Sequence, residues 1–291
     1  MTDTTVSADD RAPQDLKTPT KTRIDENFPV ASRLIPRSIR PHVHAFYLCV
    51  RTADDVADDP NRTPDDKAAL LTRMDEALQG THPRTPGTEH CHDLVRSLDG
   101  TGVTIEHARH LLQAFQMDVT KLRYNNWSEL INYCRYSAAP VGRFLLDMHG
   151  ENGTARPMTD ALCIALQILN HLQDCKNDYV DLDRVYIPQP WLREQGIDVD
   201  ALAAPKASPA LRMVLDRVLD RTDELIAQAR AGPANIRDRG LRLETAVITA
   251  IAERLSGKLR RLDPIAVRVE LNTVENILCV VTGIARGLLA R

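Results

Sequence analysis

Hydrophobic residues recur at the spacing of an α-helix along most of the chain, beginning near Pro41. The first such segment reaches about Asp59, and its apolar positions recur every three or four residues, as in a helix that buries one face against a core. Pro60 ends this segment and Pro64 begins the next, because proline interrupts a helix interior but is tolerated in a first turn. The apolar stripe of the first helix consists of Phe46, Val50, Ala53 and Ala57.

The same periodicity predicts further helices at about 64–79, 89–98, 104–120, 127–149, 157–179, 208–231, 241–262 and 271–290. The stretch 180–207 contains several prolines and is predicted to be an extended, ordered connection. No alternating strand pattern and no Gly-rich nucleotide loop stands out. We therefore predict an all-α fold with one domain at 24–291. Residues 1–23 are polar and lack apolar periodicity, so they are predicted to form a disordered tail.

Composition narrows the range of functions. Of the 291 residues, 43% are hydrophobic, so the chain can bury a sizeable core. The net charge is −3 and no long basic run occurs, which argues against nucleic acid as a partner. Six cysteines stand singly without a CxxC pair, a usage typical of reduced thiols in the cytoplasm. The first residues do not resemble a signal peptide, and no stretch reaches the roughly 20 apolar residues of a membrane span, so any membrane contact is expected to be peripheral.

Two pairs of aspartates, Asp54/Asp58 and Asp174/Asp178, carry the strongest chemical signal. Residues four apart lie on one face of a helix, about 6 Å apart along its axis, so the two carboxylates of each pair repel each other unless a cation lies between them. Mg²⁺ prefers oxygen ligands and commonly joins carboxylates to substrate phosphates. Two such helices facing each other would bind a magnesium cluster and a diphosphate.

The first pair belongs to a polar stripe beside the apolar one, formed by Tyr47, Arg51, Asp54 and Asp58. The alternative is a solvated acidic end of a helix. Acidic residues at a helix C-terminus oppose the helix dipole, which favours a site that contains a compensating cation.

The second pair continues a stripe whose members are spaced three, four and four residues apart, namely Gln167, Asn170, Asp174 and Asp178. The preceding residues 161–166 are almost wholly apolar and are predicted to be buried. Because buried polar groups need partners, a polar stripe that continues from a buried helix is expected to line an interior cavity.

Small residues open space on a helix face between the two acidic motifs. They are Ser137, Ala138, Ala139 and Gly142, and Pro140 is expected to bend the helix there. One interpretation is close helix packing. The other, favoured by the flanking acidic pairs, is room for a long apolar substrate.

These motifs together resemble the squalene/phytoene synthase family of head-to-head prenyl synthases, from about Glu26 to the C-terminus. The family pattern Arg-x-x-Asp-x-x-x-Asp is met by Arg51, Asp54 and Asp58. The pattern Gln-x-x-Asn-x-x-x-Asp-x-x-x-Asp is met by Gln167, Asn170, Asp174 and Asp178. The small-residue segment is met by Tyr133, Cys134, Ala138, Val141 and Gly142.

The resemblance implies an all-α isoprenoid-synthase bundle around a central apolar cavity. It implies two or three Mg²⁺ ions that neutralise a diphosphate leaving group, bound by Asp54, Asp58, Asn170, Asp174 and Asp178. Arg51, Gln167 and Asn170 are expected to orient phosphate or metal-bound water, and Ala138 and Gly142 to admit the substrate. The aromatic residues expected to stabilise a carbocation are Phe46, Tyr47, Tyr133 and Tyr136. The four aspartates and Tyr133 are the predicted catalytic residues.

Departures from the family pattern suggest a subgroup. Phytoene-type members begin with a Lys-Ser-Phe-like segment that binds diphosphate, and Glu26 and Asn27 stand in its place, Asn27 being expected to contact substrate. Gln173 replaces a basic residue and Ser256 a tyrosine. The altered start resembles the hopanoid-pathway subgroup, which ionises presqualene diphosphate and captures the rearranged cation with water to form hydroxysqualene. One diphosphate needs fewer cationic side chains than two.

Two other functions stay open at this point. One is a condensing prenyltransferase that joins farnesyl diphosphates into presqualene diphosphate, squalene or phytoene. The other is a non-catalytic helical protein that docks to a pathway enzyme or a membrane, which the completeness of both acidic motifs disfavours. Without a nucleotide-binding motif, no NADPH is expected. Transient contact with pathway enzymes and peripheral membrane contact are compatible with a cytoplasmic location.

Overall fold

A computed structural model describes residues 34–290, and this part of the chain is built mainly from α-helices. The prediction of an all-α fold is confirmed. The helices are α1 (Arg40–Asp58), α2 (Pro64–Leu78), α3 (Glu89–Leu98), α4 (Glu106–Thr120), α5 (Trp127–Ser137), α6 (Ala139–Met148), α7 (Arg156–Leu182), α8 (Gln189–Glu194), α9 (Pro209–Ala229), α10 (Arg239–Leu259) and α11 (Thr273–Leu289). The predicted tail at 1–23, the start of the predicted domain at 24, and Glu26 and Asn27 lie outside the described residues.

Local capping explains why several helices begin where they do. The side chains of Thr63, Ser208 and Asp238 accept hydrogen bonds from backbone N–H groups in the first turns of α2, α9 and α10. At the start of α11, Asn272 and Glu275 form a reciprocal capping box. These caps satisfy N–H groups that have no partner within the helix, so the helix starts are specified by neighbouring residues.

The predicted bend at Pro140 is a complete break. The segment 127–149 divides into α5 and α6 at Ala138, whose φ of −132° lies outside the helical range. Pro140 lies in the first turn of α6, where its missing N–H costs no helical hydrogen bond. The break lets α6 leave the axis of α5 and pack along α7.

The stretch 180–207 is more regular than predicted. Helix α7 continues to Leu182, and Val185–Pro188 forms a strand, β2, that pairs in parallel with β1 (Arg123–Tyr124). Helix α8 and a short 3-10 turn at 199–203 follow. Strands of two and four residues are too short for an alternating pattern, and every residue of β2 is buried, so periodicity gave no signal for this pair.

Two hydrophobic clusters divide the core. The first joins α1 to α4 and includes Phe144 of α6, on which Phe46 stacks with ring centroids 4.1 Å apart. The second surrounds α7 and β2 and takes in side chains from α5 and α9. Helix α7 packs against α5, α6, α9 and α10, so the acidic motif that it carries sits on a helix that is packed on several sides.

A buried carboxylate ties three elements of the second half together. Asp118 of α4 accepts hydrogen bonds from the hydroxyl of Tyr133 on α5, at 2.6 Å, and from that of Tyr186 on β2, at 3.1 Å. Burial raises the pKa of Asp118 to about 6, and the nearby Arg184 and the two tyrosine hydrogen bonds offset this only in part. This network holds β2 against the end of α4.

Substitution of Gly142 by alanine is expected to destabilise the protein, because a Cβ atom there would lie 2.5 Å from Thr159 Cγ2 and 2.8 Å from Cys163 Sγ on α7. Overpacking of this kind costs about 1–3 kcal/mol of the free energy of unfolding. Urea unfolding followed by circular dichroism measures the loss. Gly257→Ala in α10 is the matched control, since no atom lies within 4 Å of its Cβ position and alanine favours a helix. Equal stability of Gly142→Ala and wild type would contradict the packing described.

The Asp118 carboxyl gives stability a pH dependence. Its pKa is about 6 in the folded protein and near 4 in the unfolded chain, so the native state binds more protons between these values and its stability falls as the pH rises through them. The free energy of unfolding of wild type minus that of Asp118→Asn should therefore fall by about 2–3 kcal/mol from pH 4 to pH 7. Urea titrations at several pH values measure it, with exposed Asp181→Asn as control. A constant difference would refute the assignment.

Candidate active site

The two acidic motifs are connected through one arginine that neither motif contains. Arg184 lies two residues after the end of α7, and its Nη1 donates to Asp58 Oδ1 of α1 at 2.5 Å. Its Nη2 donates to the carbonyl oxygen of Ala57 at 3.0 Å. The guanidinium is almost fully buried, so the end of α1 is fixed beside the start of β2.

The carboxylates of both motifs share one electrostatic environment. Burial, together with the negative charges of Asp174 and Asp58, raises the pKa of Asp178 to about 8, while Arg184 opposes the shift. The side chain of Asp178 is nevertheless 21% exposed, so it lies at an opening and not in the sealed core. Asp58 and Asp178, which are 120 residues apart in the sequence, therefore lie near each other in the fold.

Arginines accompany three of the four predicted aspartates. Arg51 donates to Asp54 at 2.7 Å and also to Asp55, Arg184 contacts Asp58, and Arg268 Nε lies 3.1 Å from Asp174 Oδ1. Arg51 was predicted to be part of the site, whereas Arg184 and Arg268 were not. A guanidinium binds phosphate oxygens with the same planar fork that it uses for carboxylates, so each is also a potential diphosphate contact.

The donor set suits magnesium. Asp54, Asp58, Asp174 and Asp178 present only carboxylate oxygens, which Mg²⁺ prefers, and the repulsion that raises the pKa of Asp178 is what a divalent cation would relieve. Within residues 34–290 no three acidic, histidine or cysteine side chains already converge at metal-binding distance. The number of ions stays a prediction.

An aromatic cluster lies beside the second acidic motif. The ring of His171, on α7 between Asn170 and Asp174, stacks on Tyr186 with centroids 3.5 Å apart, and its Nδ1 lies 4.0 Å from Asp178 Oδ2. Tyr133 approaches both rings, at 5.5 Å from Tyr186 and 6.1 Å from His171. Burial lowers the pKa of His171 to about 3, with Arg184 adding to the effect, so this imidazole is neutral near pH 7.

The other predicted substrate residues are distributed around this centre. Gln167 Nε2 lies 3.2 Å from His171 Nε2, while Asn170 and Tyr47 are half-buried. The structure places Phe46 in the first core cluster, and the ring of Tyr136 stands edge-on to His110 at 5.5 Å.

The small residues Ala138 and Gly142 are both buried, and Gly142 is packed closely against α7. The structure thus gives Gly142 the packing role that was the alternative interpretation. The substrate contacts predicted for Phe46, Tyr136, Ala138 and Gly142 stay predictions.

The two departures from the family pattern have structural partners. Gln173 is buried and its Nε2 donates to the carbonyl oxygen of Val269 at 2.6 Å, which fixes the segment that carries Arg268 beside α7. Ser256 donates to Asp223 at 2.6 Å and joins α10 to α9. Gln173 thus carries no positive charge, but its hydrogen bond to Val269 helps to position the charged side chain of Arg268.

Sequence reasoning missed five residues of this region, namely Asp118, His171, Arg184, Tyr186 and Arg268. A signal existed for some of them. Asp118 falls on the apolar stripe of α4 that contains Leu111, Ala114 and Phe115, and His171 lies inside the second motif. Arg184 and Tyr186 closely follow that motif, in the stretch that was interpreted as a connection. Arg268 left no signal, because only the fold brings it to Asp174.

Known proteins resemble this chain along most of its length. A protein of Rhodopseudomonas palustris named hydroxysqualene synthase is 46% identical over 89% of this chain and 87% of its own. One of the same name from Zymomonas mobilis is 42% identical over 87% and 85%. A phytoene synthase of Thermus thermophilus is 27% identical over 72% and 71%.

Solved structures share the fold. The crystal structure of squalene synthase HpnC from Alicyclobacillus acidocaldarius superposes with a TM-score of 0.70 at 29% identity, covering 82% of this chain and 90% of that one. A dehydrosqualene synthase in complex with ligand gives a TM-score of 0.74 at 19% identity, over 90% and 91%, which is a likeness of fold alone. The family model described as squalene/phytoene synthase matches residues 21–275, and the chain belongs to this family.

Proposed function

We propose that this protein converts presqualene diphosphate to hydroxysqualene in squalene and hopanoid biosynthesis. The observation that carries the proposal is the meeting of the two acidic motifs around Arg184, beside an aromatic cluster. It is supported by relatives of 41–46% identity that are named hydroxysqualene synthase. Diphosphate departure, cation rearrangement and capture by water need a charged end and an apolar, aromatic end in one site.

The charged end binds the diphosphate. Arg51 and Arg268 are the candidate contacts, because each already pairs with a motif carboxylate and a phosphate oxygen can take the place of that carboxylate. Two or three Mg²⁺ ions, when bound, supply the positive charge that makes diphosphate a leaving group. Their ligands would be Asp54, Asp58, Asn170, Asp174 and Asp178.

The aromatic end stabilises the organic cation. The faces of Tyr133 and Tyr186 carry the negative side of the ring quadrupole, and their hydroxyls are held by Asp118, which fixes the ring orientations. The neutral state of His171 suits this role, since a protonated imidazole would repel a carbocation. Arg184 lies near this end of the site, and its bonds to Asp58 and Ala57 direct its guanidinium toward the end of α1.

The second candidate is a condensing prenyltransferase. It is favoured by the name squalene synthase on a solved structure that is 29% identical, and by the phytoene synthases among the relatives. The two candidates use the same acidic motifs, so the substrate distinguishes them.

The proposal also covers the location of the enzyme in the cell and its partners. We place the enzyme in the cytoplasm, with peripheral contact to the membrane that stores its apolar product and transient contact with pathway enzymes. None of the helices in the described range combines the length and the apolar character that a membrane crossing requires.

The decisive experiment supplies one substrate at a time. Purified protein with Mg²⁺ should turn presqualene diphosphate into hydroxysqualene and leave farnesyl diphosphate largely unused, with products extracted and identified by mass spectrometry. NADPH should not change the product, because the reaction ends in capture by water. Rapid condensation of farnesyl diphosphate, or squalene formed only when NADPH is present, would favour the transferase.

Removal of one aspartate should abolish turnover while the fold survives. Asp54→Ala or Asp174→Ala should lower kcat/KM at least about a hundredfold, since bound metal contributes several kcal/mol to departure of the leaving group. Asp181→Ala is the matched control, because Asp181 is exposed on α7, the helix that carries Asp174, and lies outside the motif. Circular dichroism verifies folding. Full activity of either motif variant with Mg²⁺ present would refute the site.

A further inference from the structure

Lys67 reaches from the first turn of α2 to the last turn of α1. Its Nζ donates to the carbonyl oxygen of Ala57 at 2.9 Å, and the same oxygen accepts a hydrogen bond from Nη2 of Arg184 at 3.0 Å. Ala57 is buried and immediately precedes Asp58, the second aspartate of the first motif. Two cations from separate parts of the chain therefore meet at one carbonyl beside a predicted metal ligand.

The first turn of α2 does not itself favour a lysine. Lys67 is the fourth residue of α2, near the positive end of the helix dipole, where the acidic residues Asp65 and Asp66 are the favourable ones. The C-terminus of α1 has the opposite sign, and the last turn of α1 contains no basic residue of its own. The ammonium of Lys67 is thus stabilised by α1, and it supplies part of the positive charge that the acidic end of this helix needs.

Lys67 differs from the arginines of the site in its partners. Arg51, Arg184 and Arg268 each form an ion pair with an aspartate of the two motifs. Within the described part of the chain Lys67 forms no ion pair, and its bond to Ala57 uses one of the three N–H donors of the ammonium. An anion can therefore bind Lys67 without displacing a carboxylate.

The ammonium nevertheless shares the electrostatic environment of the first motif. Burial and the positive charge of Arg184 lower the pKa of Lys67, whereas the negative charges of Asp58 and Asp59 oppose the shift. The side chain is half-buried, so solvent screens its charge less than that of a fully exposed lysine. Its charge therefore acts on whatever binds beside Asp58.

The charges at this end of α1 balance only when Lys67 is included. The acidic residues are Asp54, Asp55, Asp58 and Asp59, and the basic side chains that contact this end are Arg51, Arg62, Lys67 and Arg184. Without Lys67 the acidic residues would exceed the basic ones, and the helix dipole would add to the negative charge. Such a surface repels an anion, so Lys67 favours the approach of one.

We propose that the ammonium of Lys67 binds the diphosphate group of the substrate at the end of α1. The carbonyl of Ala57 holds the ammonium beside Asp58, and its other N–H donors bind phosphate oxygens in charge-assisted hydrogen bonds. The proposal rests on the proposed function only in taking a diphosphate as the ligand. The alternative is that Lys67 only caps the last turn of α1, in which case its charge has no effect on an anion.

The test is calorimetric titration of the full-length protein with inorganic diphosphate in the presence of Mg²⁺. Lys67→Met keeps the length of the side chain and removes its charge, so it should weaken diphosphate binding at least about fivefold at low ionic strength and less at high salt. Mg²⁺ alone should bind at least as tightly as in wild type, because a neighbouring positive charge is lost. A purely structural role would not move the two ligands in different directions.

Three further variants serve as controls. Lys67→Arg keeps the charge and should retain the diphosphate affinity to within about twofold. Lys67→Gln keeps an N–H donor without the charge and should behave as Lys67→Met does, which also provides a second neutral variant if the first does not fold. Arg73→Met is the matched control, because it removes a positive charge from an exposed position of the same helix, and it should bind diphosphate as wild type does.

Thermal unfolding verifies that each variant is folded. Unchanged diphosphate affinity in the folded neutral variants overturns the proposal. Equal weakening of diphosphate and Mg²⁺ binding at every salt concentration assigns Lys67 to capping alone and also overturns it. Loss of diphosphate affinity in the neutral variants, in a protein whose wild type does not convert presqualene diphosphate, supports the role of Lys67 and refutes the proposed function alone.

Discussion

The arrangement of the candidate active site depends on the buried guanidinium of Arg184. It bonds to the side chain of Asp58 and to the backbone carbonyl of Ala57, so it holds both the acidic residue and the last turn of the helix that carries it. The guanidinium is buried whereas the side chain of Asp58 is 40% exposed, so solvent screens the pair in part and the buried charge relies on Asp58 and the carbonyl of Ala57 as its partners. Since Arg184 follows α7 by two residues, this contact also sets the distance between the two acidic motifs.

The candidate site contains carboxylates and arginines that pair with one another, and a charged ligand can replace these pairings. The negative charges of Asp58 and Asp174 add to the burial that raises the pKa of Asp178, and Arg51, Arg184 and Arg268 pair with carboxylates of the two motifs. A diphosphate and divalent cations bring charges of both signs, which can replace these internal partners one for one. Arg51 and Arg184 are nearly enclosed by the protein, whereas Arg268 is about half-exposed, so Arg268 is the arginine best placed to exchange its carboxylate for an arriving ligand.

The two ends of the site have different mechanical support. The aromatic end is fixed by the hydrogen bonds of Asp118 to Tyr133 and Tyr186 and by the stacking of His171, all within the larger core cluster. The charged end includes Arg268, which lies on a segment without helix or strand that Gln173 fixes through Val269. The same segment leads directly to α11.

The sequence by itself determined the helices and the spacing of the acidic residues, because both follow from interactions between residues three or four positions apart. Most helix limits agree with the predicted ranges, and the apolar stripe of Phe46, Val50, Ala53 and Ala57 does face the first core cluster. Tertiary structure decided the rest. Arg184 meets Asp58 across 126 positions, Arg268 meets Asp174 across 94, and Tyr186 meets Asp118 across 68. No local pattern encodes such pairs, since they form only when separate elements pack. The short parallel strands and the break at Ala138 were likewise decided by tertiary structure, because burial and packing, more than periodicity, fixed their geometry.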